Sequence, residues 1–76
     1  MNNPTRTTIR AISEKLKEIA EEIRELRESE HEKILRLSPG LLNSPTGLKL
    51  FEAKLNLMVV VTDLHEAIHY LELACK

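Results

Sequence analysis

Isoleucine and leucine recur through the first half of the chain at Ile9, Ile12, Leu16, Ile19, Ile23 and Leu26, with gaps of three, four, three, four and three residues. Most of the positions between them are charged or polar. Apolar residues at this spacing form a narrow stripe on an α-helix, which must bury that edge against another helix while the rest stays in water. The second half has a wider apolar face. Leu50, Leu57, Val61, Leu64, Ile68, Leu71 and Cys75 follow a comparable seam, Phe51, Leu55 and Met58 make a second stripe beside it, and Ala53, Val60, Ala67 and Ala74 make a third on the other side. A helix apolar over so much of its circumference needs more than one neighbour.

Two breaks punctuate the pattern. Ser38-Pro39-Gly40 ends the first helix, because proline lacks the backbone donor and glycine is the preferred helix stop. Ser44 followed by Pro45 starts the second, as a cap followed by proline at the first helical position. These signals predict an all-α fold: one domain over residues 1–76, with a flexible N-terminus at 1–4, a helix over about 5–37, an interhelical loop at 38–44 and a helix over about 45–75. Asn3 with Pro4, or Thr7 or Thr8, would cap the first helix. A connection of about seven residues cannot reach the far end of a rod about 45 Å long, so the helices are expected to form an antiparallel hairpin. Val59-Val60-Val61 favours a strand locally, but a lone strand would have nothing to pair with, so the helical reading stands.

Seventy-six residues sit near the size at which one hydrophobic core stops being sufficient, and a staple or partner is expected. Disulfides are not the staple, since Cys75 is the only cysteine. Self-association remains. The expected arrangement is a homodimer of hairpins, a four-helix bundle with Phe51, Leu55, Leu57, Met58, Val60, Val61, Leu64, Ile68 and Leu71 at the protein interface. The net charge of −1, with interleaved signs, argues against nucleic acid, and no apolar run approaches the roughly 20 residues of a membrane span. A single cysteine fits a reducing, cytoplasmic setting.

Little in the chain suggests catalysis. His65-Glu66-Ala67-Ile68-His69 resembles the H-E-x-x-H pattern of zinc peptidases, but only seven residues follow His69 and no third ligand has room. No glycine-rich phosphate loop is present, the serines lie at surface or cap positions and Cys75 has no histidine at helical spacing, so a non-enzymatic role without cofactors is expected. The alternative is a divalent-metal site, zinc for example, at His65, His69 and Glu72, which lie at i, i+4 and i+7 on one helical strip. Residue numbers across the hairpin should sum to roughly 82, setting Glu72 opposite Arg10. That pairing would compete with metal for the carboxylate.

The first seam is interrupted at Glu30 and Lys33. With Leu41, Leu42 and Leu48 nearby, the loop-proximal end is a candidate patch for docking another protein, for a module that regulates or chaperones it. Four pairs spaced by four residues, Arg10 with Glu14, Lys17 with Glu21, Arg24 with Glu28 and Glu32 with Arg36, should support the first helix.

Overall fold

The computed structural model describes all 76 residues and contains three helices and no strand: α1 (Asn3–Leu35), α2 (Pro39–Leu42) and α3 (Pro45–Ala74). α1 begins two residues earlier than the sequence suggested. Asn2 caps it, its side-chain oxygen accepting from the Thr5 amide at 2.9 Å, and Pro4 falls within the first turn, where its missing donor costs nothing. Thr7 and Thr8 are not caps; each hydroxyl donates to the carbonyl four residues back.

The connection is more structured than an open loop. Ser38, extended as residues before proline prefer to be, lets its carbonyl accept from Leu41 and Leu42 at 2.9 and 3.0 Å, which winds Pro39–Leu42 into one helical turn. Ser44 then links α2 to α3: its hydroxyl donates to the Leu41 carbonyl at 2.6 Å, while its oxygen accepts from the Gly47 amide at 3.3 Å. Gly47 is buried beneath this turn. A β-carbon there would collide with the carbonyl oxygens of Leu41 and Leu42, so only glycine lets α2 sit on the first turn of α3.

α1 and α3 lie side by side in opposite directions, as the contacts of Arg6 with Cys75, Lys17 with Glu72 and His31 with Lys54 require. The molecule is a rod of 58 × 14 × 13 Å with a radius of gyration of 17.3 Å, against roughly 11 Å for a compact domain of this length. Only 6 of 76 residues are buried, so a single line of contact, rather than a core with an interior, joins the two helices.

That line is rotated from the expected seam. Ile9, Leu16 and Ile23 do face α3, but they share the contact with Ser13, Ala20 and Ile34, while Ile12, Ile19 and Leu26 are exposed. Ser13 and Ala20, 4% and 2% exposed, explain the rotation: small side chains let helix axes approach toward the close end of the usual 8–10 Å range. On α3 the matching line is Gly47, Leu50, Lys54, Leu57, Val61, Leu64, Ile68, Leu71 and Cys75, each buried or half-buried.

The charge ladder of α1 also differs from expectation. Glu14 pairs with Lys17, Glu21 with Arg24 and Glu30 with Lys33, all three apart; of the expected pairs only Glu32 with Arg36 forms, at 4.0 Å. The expected pairs that fail place the base before the acid, the less favourable orientation, whereas the observed pairs three or four apart place the acid first; Arg27 with its neighbour Glu28 is the exception in order.

Candidate interaction surface

One flank of the helix pair carries its cross-helix polar contacts. Lys17 Nζ lies 3.1 Å from Glu72 Oε1 and 3.2 Å from Glu14 Oε1, and its hydrogen bonds to Glu72 and then Glu14 raise its pKa above the usual 10.5. Arg10 is therefore not the partner of Glu72. Lys17 is one heptad further along the same edge of α1 and takes the carboxylate, while Arg10 lines a crevice of about 200 Å³ with Ser13, Glu14, Lys17, Glu72 and Cys75. At the same end Cys75 Sγ donates to the Arg6 carbonyl at 3.8 Å, and Arg6 Nε and Ser13 Oγ are buried without partners. Nearer the loop, Lys54 Nζ donates to His31 Nδ1 at 3.0 Å. Arg24 donates through Nε to both Glu21 oxygens, at 3.1 and 3.2 Å, which holds the Glu21 carboxyl below its usual 4.5 and raises the guanidinium.

His65, His69 and Glu72 do not converge. No group of three His, Cys, Asp or Glu side chains lies close enough to hold a metal ion. Helical spacing places the three on one strip, but Glu72 turns toward Lys17 and His69 packs edge-on against Tyr70, with ring centroids 5.6 Å apart. His65 is exposed.

The other flank follows from helical geometry. At about 100° per residue, Ile12, Ile19 and Leu26 lie across α1 from Lys17, and Val60, Ala67 and Ala74 lie across α3 from Glu72. Because Lys17 meets Glu72 on one side of the pair, these six residues share the opposite side. All six are exposed, Ile19 at 43% and Leu26 at 57%. They form an apolar strip along both helices with no polar contact bridging it.

The residues expected at the protein interface thus divide. Leu57, Val61, Leu64, Ile68 and Leu71 are occupied within the chain, packed in the line of contact with α1, whereas Val60 lies exposed on the apolar flank. Phe51, Leu55 and Met58 are also exposed, toward the loop on the side of α3 that carries Lys54 and Glu72. The residues of the loop-proximal patch divide as well. Leu41 and Leu48 are exposed and Leu42 is half-buried under the α2 turn; Glu30 is half-buried and held by Lys33 at 2.8 Å, so these two charges satisfy each other on α1 and reach no partner on α3. Ser13, Ala20 and Gly47 were missed as contact residues. Ser13 and Ala20 do lie seven apart, and a search for small residues at that period would have found them.

The chain exposes 5625 Å², about 900 Å² more than the roughly 4,700 Å² that size scaling gives a compact monomer of 8.7 kDa. No helix is long and apolar enough to cross a membrane. No protein-family model, curated protein or solved structure matches the chain.

Proposed function

We propose that this chain is a non-enzymatic protein-interaction module, an antiparallel helical hairpin that self-associates into a four-helix bundle. The observation that carries the reading is the strip of Ile12, Ile19 and Leu26 on α1 beside Val60 on α3, apolar side chains on one flank that a lone hairpin leaves in water. Burying an exposed isoleucine or leucine is worth about 1.5–3 kcal/mol at full burial, and a chain with so few buried residues has little other stabilisation to draw on. Packing a second copy on the strip leaves Leu41, Leu48 and Phe51 at the loop end for contact with another protein, through which such a module would regulate or chaperone. A cytoplasmic setting keeps the Cys75 thiol reduced.

Sedimentation equilibrium tests the reading. The expected species at micromolar concentration has twice the 8.7 kDa chain mass, and a well-folded monomer there refutes it.

A further inference from the structure

We infer that the second copy packs on the apolar flank with its loop at the opposite end of the bundle, so that Lys15 of each copy meets Glu22 of the other and the two loop ends project in opposite directions. The inference rests on the self-association reading and specifies its face and orientation.

Two hairpins meeting face to face through the same strip can be related by a two-fold axis in either of two ways, since the axis must lie in the plane between them. If it runs along the helices, the loops share one end and α1 of each copy faces α3 of the other. If it runs across the helices, the loops lie at opposite ends, with α1 facing α1 and α3 facing α3.

The apolar strip accepts both. With loops together, Ile12, Ile19 and Leu26 face Ala74, Ala67 and Val60, because contacts within the chain put α1 and α3 residues at the same height when their numbers sum to about 85, as His31 and Lys54 do. With loops apart, Ile19 sits on the axis against its own copy, Ile12 faces Leu26, Ala67 faces Ala67 and Val60 faces Ala74.

The outer rim of the strip decides between them. On α1 the rim residues are Thr8, Lys15, Glu22, Ser29 and Lys33; on α3 they are Lys49, Glu52, Asn56, Asp63 and Tyr70, and all ten are exposed. With loops together, Glu22 faces Asp63, a like-charge contact made twice in the dimer that opposes association, while Lys33, which would face Glu52, is already held by Glu30 at 2.8 Å. With loops apart, Lys15 faces Glu22, Thr8 faces Ser29, and Asp63 faces the Tyr70 hydroxyl, so each juxtaposition on the rim is attractive or neutral. Lys15 and Glu22 take part in no salt bridge within the chain and are free to make these contacts. The height match is also good: the axis at Ile19 on α1 corresponds to residue 66 on α3 by the same sum, beside Ala67.

The functional consequence is a two-ended connector. The loops, with their exposed Leu41 and Leu48, would stand on the order of 50–60 Å apart from the 1.5 Å rise of each helix, whereas loops at one end would lie within about 20 Å of each other, two helix spacings.

A spin label at Gly40→Cys in a Cys75→Ser chain measures that separation, at a site where a side chain meets open space. With sedimentation run on the same labelled sample, a dimer with a label distance near 50–60 Å supports the inference. A dimer with a distance near 20 Å overturns the orientation and leaves self-association standing; a folded monomer overturns both. Charge variants give a second readout that needs no label. Lys15→Glu should weaken the dimer by up to about tenfold, and Lys15→Glu with Glu22→Lys should restore it. Glu22→Lys alone tightening the dimer would instead match the loops-together arrangement and refute the inference.

Discussion

The two flanks of this helix pair are built from residues at matching helical positions and are left in opposite conditions. On one, Lys17 reaches Glu72 and Lys54 reaches His31, so long polar side chains span the crevice between α1 and α3. On the other, Ile12, Ile19 and Leu26 face solvent beside Val60, Ala67 and Ala74, and nothing crosses. Charged side chains on a two-helix rod can be satisfied in water and at most guide register, whereas exposed isoleucines at helical period represent burial that the single chain does not complete. The polar flank therefore bridges the helix pair and leaves exposed apolar side chains mainly on α3, at Phe51, Leu55 and Met58, whereas the other flank exposes apolar side chains on both helices, where a further helix could bury them together.

The sharpest way to break this contrast is to place one charge on the apolar flank. Ile19→Asp puts a carboxylate at the proposed axis in both copies at once, removing apolar burial and leaving two like charges to be desolvated together. Dimer affinity should fall by at least about a hundredfold, with the melting temperature losing its dependence on protein concentration, measured by sedimentation and by circular dichroism across a concentration series. The matched change on the polar flank, Lys17→Met, should leave association unchanged. Equal effects from both variants would erase the distinction between the flanks.

The contact line that separates the flanks can be tested at its loop end. Gly47→Ala forces a methyl group into the carbonyls of Leu41 and Leu42, which are backbone and cannot step aside, so it should cost about 1–3 kcal/mol in chemical denaturation. Gly40→Ala, seven residues earlier in α2, in open space and without a positive φ, should be neutral or stabilising by up to about 1 kcal/mol. If both alanines behave alike, α2 does not sit on α3 as described.

Much of this arrangement was legible before any coordinates. Pro39 and Gly40, with Ser44 and Pro45, marked the connection because their constraints act locally, and the apolar period marked both long helices. The rotation of α1 was not legible from that period. Ile9, Ile12, Leu16, Ile19, Ile23 and Leu26 fit one stripe, and choosing Ile9, Leu16 and Ile23 over the others depends on how closely Ser13 and Ala20 let α3 approach, a property of two helices together. The α2 turn escaped for a related reason, since Ser38 signals a cap only once Leu41 and Leu42 return to its carbonyl. At the metal candidates, spacing placed His65, His69 and Glu72 on one strip, but it carried no information about Lys17, the competing partner supplied by the other helix.

The smallest expected effect is the dependence of stability on pH, and it separates contacts within α1 from contacts between helices. Lys17 has its pKa raised, first by Glu72 and then by Glu14, so its contribution is fully present below about pH 10.5 and is lost as pH rises through the higher folded value. Glu21 has its pKa lowered by Arg24 on the same helix, so its contribution is present above about pH 4.5 and is lost as pH falls through the lower folded value. Both groups are exposed and screened by solvent, so each limb should amount to a few degrees of melting temperature at most and should shrink in high salt. The alkaline limb should be reduced in Glu72→Gln, which leaves only Glu14 on the lysine, and further reduced in Lys17→Met; the contribution of Glu21 to the acid limb should be untouched by either. An alkaline limb that survives Lys17→Met at full size would mean that another group, not the bridge between α1 and α3, sets the upper edge of the stability profile.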